Sequence, residues 1–240
     1  RSTLSSSSAA SDVYKRKTLA FLFVSVFWGI ATLPSLIIFF KWISISSNYS
    51  YWPNIILTSI LLGICLIIWL FSIMILTGLL GFIFRPRNRN GSSYPLYSST
   101  TVKWAILSVI QRLASPFGSL FSATWVITIY YKLLGTRIGK NAIVNTHKIW
   151  DAYLINIDEN AIIGGNAKIS GHLAEKDKLV LAPVYIGKRT VIGSNSLISP
   201  GCKIGDDSVI ATHAVLPKYT EVPPGEVWGG IPAKKIKDIK

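Results

Sequence analysis

Between Ile186 and Leu216 an aliphatic residue returns at every sixth position, through Ile192, Ile198, Ile204 and Ile210. A strand repeats every two residues and a helix every 3.6, so a period of six belongs to neither alone. It fits a parallel β-coil in which each hexad is one short flat strand plus a turn, three hexads completing a triangular coil. A second set in the same phase, Thr190, Ser196, Cys202, Ser208 and Ala214, is uniformly small, as an inward-pointing slot with little room demands. Directly after each anchor stands Gly187, Gly193 or Gly205, or a small substitute at Ser199 and Ala211. Tight turning of the backbone is the expected reason for glycine there.

The same phase reappears earlier at Ile157, Ile163 and Ile169, with Ala161 and Ala167 in the small slots, and at Ile138 and Val144 with Ala142. The coil is therefore expected to start near Ile138. The rhythm lapses over 170–185, a polar stretch containing His172, Glu175, Lys176, Asp177 and Lys178. An extended loop is predicted to leave the solenoid there. Such loops are where chemistry is placed, because the coils themselves supply only stacking contacts.

With these residues in view, 138–237, 100 of the 240 residues, resembles the hexapeptide-repeat acyltransferases. The hexads carry the resemblance, together with the Gly171-His172 pair and the ending Val227-Trp228-Gly229-Gly230-Ile231-Pro232-Ala233-Lys234-Lys235-Ile236. It implies a mainly β fold, a left-handed parallel β-helix that forms a homotrimer. It also implies a histidine base at the start of the loop and coenzyme A beside the Gly-x-Pro-Ala-Lys ending. The runs 131–140, 151–158, 171–175 and 182–187 resemble the membrane-embedded terminal region of polylysine-synthetase-like peptide synthetases, in which transmembrane helices alternate with solenoid domains. By that resemblance the chain is a minimal version or one fragment of a larger protein.

Half of the residues are hydrophobic and the mean hydropathy is +0.44, which reads as a membrane protein with a soluble domain. The formal charge of +14 is unevenly held: residues 1–135 contain eleven Lys or Arg and one acid, Asp12, whereas 136–240 contain fourteen basic and ten acidic residues. Apolar runs dominate the basic half and the solenoid lacks a basic stripe with interleaved aromatics, so nucleic acid is not the expected partner. Segments 18–40 and 55–84 carry no charge over 23 and 30 residues, beyond the roughly 20 needed to cross the hydrocarbon. Pro34 is expected to kink the first. Lys15-Arg16-Lys17 before the first span and Arg85, Arg87 and Arg89 after the second place both termini in the cytoplasm by the positive-inside rule. Trp42, Tyr49, Tyr51 and Trp52 would then anchor the outer interface, where Asn48-Tyr49-Ser50 is a glycosylation pattern.

The expected organisation is a disordered basic segment (1–17), two transmembrane helices (18–84), a linker with interfacial helices (85–135), the β-helix (136–226) and a C-terminal strand with a basic tail (227–240). Residues 102–114 read as a short amphipathic helix broken by Pro116 and Gly118, followed by an uncharged run over 119–131. Trp104, Trp125, Tyr130 and Tyr131 suit the headgroup level, with Lys103, Arg112 and Lys132 available to anionic membrane lipid. A helical pair packed on the base of the solenoid is the alternative. Cys65 lies in a span and Cys202 in a small slot, so they do not pair and neither signals metal.

Acyl transfer from a thioester needs a base to take the nucleophile's proton, and imidazole is matched to neutral pH. His172 is the candidate catalytic base, with Glu175 three residues on as an orienting carboxylate. The resemblance puts acceptor-binding residues at His147 and Asp151, with Asn145 one residue displaced from its match. A structural bond from His147 to a backbone carbonyl is the other reading. Gly229, Gly230, Ala233 and Lys234 would border the cofactor, with His213 near its tunnel; Lys234, Lys235 and Lys237 offer charge to its phosphates. Val191 stands where several sugar acetyltransferases have Trp, which weighs against acetyl-coenzyme A as donor and leaves open another acyl thioester or an acyl or peptidyl carrier protein. No tightly bound cofactor is expected. Two alternatives remain at this point: a non-catalytic trimeric scaffold among other subunits of a membrane complex, and a γ-type carbonic anhydrase. The second needs three histidines per zinc, two of them close in sequence, whereas these are 25 and 41 residues apart.

Overall fold

A computed structural model describes residues 3–86, 90–95 and 98–239, with side chains from residue 22 onward. The chain divides into two compact units, Arg1–Leu76 and Thr77–Lys240. In the first, helix α1 (Thr3–Ser46) and most of helix α2 (Tyr51–Phe84) form an antiparallel pair. Ser35 Oγ donates to the Cys65 carbonyl at 2.7 Å, and Trp69 Nε1 donates to the Trp28 carbonyl at 3.2 Å beside an edge-on contact of the two indoles. Among the described residues two stretches are long and apolar enough to cross a membrane, Leu22–Ser46 and Tyr51–Phe84. Helix α1 reaches back to Thr3 where a disordered segment is expected, since a nucleated helix propagates readily through residues free of Gly and Pro. The side chains of Lys15, Arg16 and Lys17, and Arg87 and Arg89 altogether, lie outside the described residues.

The second unit is built on three parallel sheets. The first face stacks β2 (Arg137–Ile138), β5 (Ile155–Ile157), β10 (Val184–Ile186), β13 (Lys203–Ile204) and β16 (Glu221–Val222). The second stacks β3 (Ile143–Val144), β6 (Ile162–Ile163), β11 (Val191–Ile192), β14 (Val209–Ile210) and β17 (Glu226–Gly230), and β18 (Ala233–Asp238) returns antiparallel on β17. The third stacks β4 (Ile149–Trp150), β7 (Lys168–Ser170), β12 (Leu197–Ile198) and β15 (Val215–Leu216). From Val184 onward successive strands of one face lie 18 residues apart, as Ile186↔Ile204 and Ile192↔Ile210 do, so three hexads make one coil.

All six anchors are at most 3% exposed, and the small slots are closed as well. The slots also bond along the stack: Thr190 Oγ1 donates to the Gly205 carbonyl at 2.9 Å and Ser208 Oγ to the Pro223 carbonyl at 2.8 Å. The anchor-following glycines differ from expectation. Their backbone does not take the left-handed conformation; that role falls two residues later, on Arg189, Asn195, Asp207, His213 and Tyr219. Glycine is instead required by contact between coils. A Cβ on Gly193 would sit 2.5 Å from the Thr212 nitrogen, and one on Gly205 equally close to the Pro224 nitrogen.

The lapse at 170–185 is a hairpin rather than an extended loop, β8 (His172–Glu175) pairing antiparallel with β9 (Lys178–Leu181). On its other side β9 pairs with β1 (Ser92–Pro95), a strand inside the segment expected to be linker. Helix α3 (Ser99–Gly118), capped by Ser98, and helix α4 (Trp125–Leu134) follow. Pro116 falls within the last turn of α3 and does not end it. Tyr130 and Tyr131 are buried inside the protein rather than placed at headgroup level. The two helices cover the open edge of the first coil: the Tyr131 hydroxyl accepts from the Ile149 N–H at 3.2 Å, Gln111 Nε2 donates to the Ile149 carbonyl, and Thr136 Oγ1 donates to the Ala152 carbonyl at 2.9 Å. The two Ile149 groups would otherwise be unpaired at the edge of a strand.

Two adjacent glycines test the contact explanation. A Cβ on Gly164 would meet the Ile192 carbonyl oxygen at 2.6 Å, whereas one on Gly165 meets nothing closer than 3.7 Å. Gly164→Ala is expected to destabilise by about 1–3 kcal/mol through overpacking. Gly165→Ala is expected to be neutral or to stabilise by up to about 1 kcal/mol. Thermal unfolding of the two variants side by side checks the contrast.

Candidate active site

Asp151 opens a short 3₁₀ turn (Ala152–Leu154) with its backbone left-handed at φ 56°, a conformation Asp tolerates better than most residues. Its side chain is only 3% exposed. His172 is the first residue of β8, directly after Gly171. That glycine lies close under the turn: a Cβ there would meet Leu154 Cβ at 2.9 Å and Asp151 Cβ at 3.2 Å. The close approach joins the two residues, and His172 Nδ1 makes a short bond with Asp151 Oδ2. Ser170 Oγ is 3.2 Å from the same nitrogen and accepts from the His172 backbone N–H at 3.3 Å. The other carboxylate oxygen, Oδ1, accepts from Trp104 Nε1 at 2.6 Å, and the indole lies against the imidazole with ring centroids 4.8 Å apart.

A carboxylate only accepts, so the bonded Nδ1 carries the hydrogen, and in the neutral imidazole Nε2 then keeps its lone pair. With its side chain 30% exposed, His172 can present that nitrogen to a substrate. The sequence-predicted residues divide accordingly. His172 and Asp151 come together, the Asp151 carboxylate bonding the imidazole. Glu175 does not meet His172. In a strand, residues three apart point to opposite faces, and Glu175 instead pairs with Lys218. Its predicted orienting role is therefore corrected.

His147 packs against the end of α3, where a Cβ on Gly118 would lie 2.7 Å from its own Cβ. Partial burial, with Lys148 nearby, holds its pKa below the ordinary histidine value. Asn145 is exposed at a coil corner, its backbone bonded to the Ile163 carbonyl. His213 is an exposed corner residue with φ 61°, in line with Asn195 one coil earlier. Gly229 is buried where a Cβ would meet Ile236 and Ala211, Gly230 is left-handed at φ 96°, Ala233 is buried and Lys234 exposed. Lys235 is not free for a phosphate, being paired with Glu226 at 2.8 Å and Asp238 at 2.7 Å. Trp104 and Ser170 were not anticipated. Ser170, two residues before His172, has a local signal; Trp104, 47 residues before Asp151, has none.

A stacked hexapeptide coil with a histidine bonded to a buried carboxylate at the root of a hairpin defines a class of β-solenoid with a candidate acid–base site. Several known proteins are similar to parts of the chain. The bacterial transferase hexapeptide family (six repeats) matches residues 183–218. The chain is 25% identical over 146 residues to the delta-poly-L-ornithine synthetase of Acinetobacter baumannii, covering 61% of this chain and 11% of that protein. It is 32% identical over 133 residues to the galactoside O-acetyltransferase of Escherichia coli, covering 51% of this chain and 64% of that protein. A hexapeptide-repeat acetyltransferase structure from Vibrio cholerae matches with a TM-score of 0.47 and 18% identity, over 60% of this chain and 95% of that one. The chain thus spans a small part of the first relative and less than two thirds of the second. The resemblance to hexapeptide-repeat acyltransferases, and to a polyamino-acid synthetase, holds.

The Glu226 carboxyl is held below the usual range by its bonds to Lys235 and to Trp228 Nε1. A depressed carboxylate contributes stability that is fully present above its unfolded value, near about 4.3, and is lost as pH falls through the folded one. Amide exchange in β18 is therefore expected to accelerate as pH drops below about 4.3, relative to the coil strands. Lys235→Met should blunt that dependence.

Proposed function

We propose that this chain is a membrane-anchored acyltransferase that moves an acyl group from coenzyme A, or from a carrier-protein thioester, to a hydroxyl or amine held near the membrane. The observation that carries the reading is the His172–Asp151 couple, a base with its hydrogen directed to a buried carboxylate and its lone pair left free. Nε2 removes the acceptor's proton as the acceptor oxygen or nitrogen attacks the thioester carbonyl. The C–S bond breaks, and the imidazolium returns the proton to the departing sulfur. Asp151 stabilises the imidazolium between those steps, as a buried carboxylate does for a catalytic histidine. The names of the relatives, an acetyltransferase among them, support the same class of reaction.

The hand of the coil is taken as left, as in the family it resembles, and the assembly as a homotrimer. The second face supports a self-associating surface. Its outward positions form an aliphatic ladder in register, Ile143, Ile162, Val191, Val209 and Val227, whereas the first face carries Arg137, Asn156, Tyr185, Lys203 and Glu221. Part of that ladder is well exposed in the single chain, Ile143 at 47% and Ile162 at 40%. A thioester groove between subunits would be bordered by Gly229, Gly230, Ala233 and Lys234. In our reading α1 and α2 span the bilayer with both termini and the solenoid in the cytoplasm, so the acceptor is a lipid-linked sugar, a lipid headgroup or an amine brought to the surface.

Thiol release from acetyl-coenzyme A and longer acyl-coenzyme A substrates, across a panel of such acceptors, tests the reading. His172→Ala should lose about 10²- to 10⁴-fold in turnover while still folding cooperatively, and undiminished turnover would remove the base. Val191→Lys should convert a trimer into smaller species in sedimentation of the detergent-solubilised protein, because it places a charge in an apolar interface core.

A further inference from the structure

We propose that Trp104, supplied by α3 ahead of the solenoid, is a positioning residue that fixes the tautomer and orientation of the His172 base; this rests on the acyl-transfer reading above. The Asp151 carboxylate is almost fully removed from solvent, so both of its oxygens need donors within the protein. Oδ2 takes the His172 ring hydrogen and Oδ1 takes the Trp104 indole hydrogen at 2.6 Å. With a single donor the carboxylate is free to turn about its Cβ–Cγ bond. A second donor on the other oxygen locks its plane, so that Oδ2 stays directed at Nδ1. The indole is donor only and cannot compete for the hydrogen that His172 gives to Asp151. Its ring also closes one side of the imidazole, with centroids 4.8 Å apart and planes at 60°, so a flip exchanging Nδ1 with carbon would have to displace it.

The indole is itself held firmly. Helix α3 is capped by the Ser98 hydroxyl, which accepts from the Thr101 N–H at 3.2 Å, and it buries Leu107, Ile110, Leu113 and Ala114. Thr101 Oγ1 donates to the Pro95 carbonyl at 2.9 Å, tying the helix start to β1, and β1 pairs with the strand beside the one that carries His172. The stretch before the solenoid therefore brackets the base from two sides. It is part of the active site rather than a tether to it.

The test uses the full chain in nanodiscs with ¹⁵N-labelled histidine. The protein has three histidines, and His172→Ala identifies the signals of His172. Ring-nitrogen shifts above the titration of His172 report its tautomer. The wild-type protein should show the Nδ1–H form alone. Trp104→Phe, which keeps an aromatic ring and removes the donor, should show a mixture with the Nε2–H form and about tenfold lower kcat, with KM for the acyl donor unchanged. A single Nδ1–H tautomer in Trp104→Phe overturns the proposal. Loss of cooperative melting in both Trp104→Phe and Trp104→Met also overturns it, since the residue would then be structural. The tautomer is read without turnover. If His172→Ala proves fully active, the acyl-transfer reading fails while the role of Trp104 is still decided.

Discussion

The spacing between coils is the constraint on which the solenoid depends. Hydrogen-bonded strands stand about 4.8 Å apart, and here the corners are stacked as closely as the strands. Where backbone passes over backbone there is no room for a side chain: a Cβ on Gly187 would fall 2.7 Å from the Asp206 nitrogen. The corner is completed two residues later by a left-handed residue, and the next position must be small enough to lie inside the coil and bond the one above it. Anchor, glycine, corner and slot thus follow from one distance repeated at each coil, which is why the chain repeats every six residues.

In a structure governed by one repeated distance, the candidate site lies where the repeat fails. Between the coils joined by Ile157↔Ile186 the offset is 29 residues rather than the 18 of Ile186↔Ile204, and the surplus forms the hairpin that begins with His172. A smaller surplus occurs one coil earlier, where Ile138 pairs with Ile157 at an offset of 19. That coil contains the turn beginning at Asp151. The two irregularities are stacked on one another, with Gly171 permitting contact between them. Asp151 meets His172 because both lie where the chain has left the regular coil at the same corner of the stack.

Periodicity made the coil, its small slots and its interruption legible, since each is a pattern repeated at fixed spacing. His172 was legible for the complementary reason, as a histidine at the edge of the interruption. The partner of His172 was not. Glu175 is nearer in sequence, but alternation along a strand carries it away to Lys218, while Asp151 arrives from the coil beneath. A pair made once, between residues 21 apart, leaves no trace in a repeat. The reason for the glycines was misread for a related cause: composition shows where glycine is required but does not distinguish a turn from a neighbouring backbone. The strand at Ser92–Pro95 was hidden because its pairing partner belongs to the excursion and not to the coil.

The first coil of any stack leaves an edge without a partner, and here α3 and α4 close it with side chains in place of a strand. Gln111 and Tyr131 take the two backbone groups of Ile149, one residue before Trp150 and two before Asp151. The same helix that supplies Gln111 supplies Trp104 two turns earlier. Covering the edge and holding the carboxylate are therefore one packing event, because both depend on α3 lying against β4 at a single rotation about its axis. A helix turned to free Trp104 from Asp151 would also withdraw Gln111 from the edge and leave the buried Ile149 carbonyl without its donor, a cost of about 1–3 kcal/mol. The stability of the solenoid's first coil thus works against disorder in the candidate site, and a segment whose sequence reads as a linker becomes the part of the chain that holds the His172–Asp151 pair.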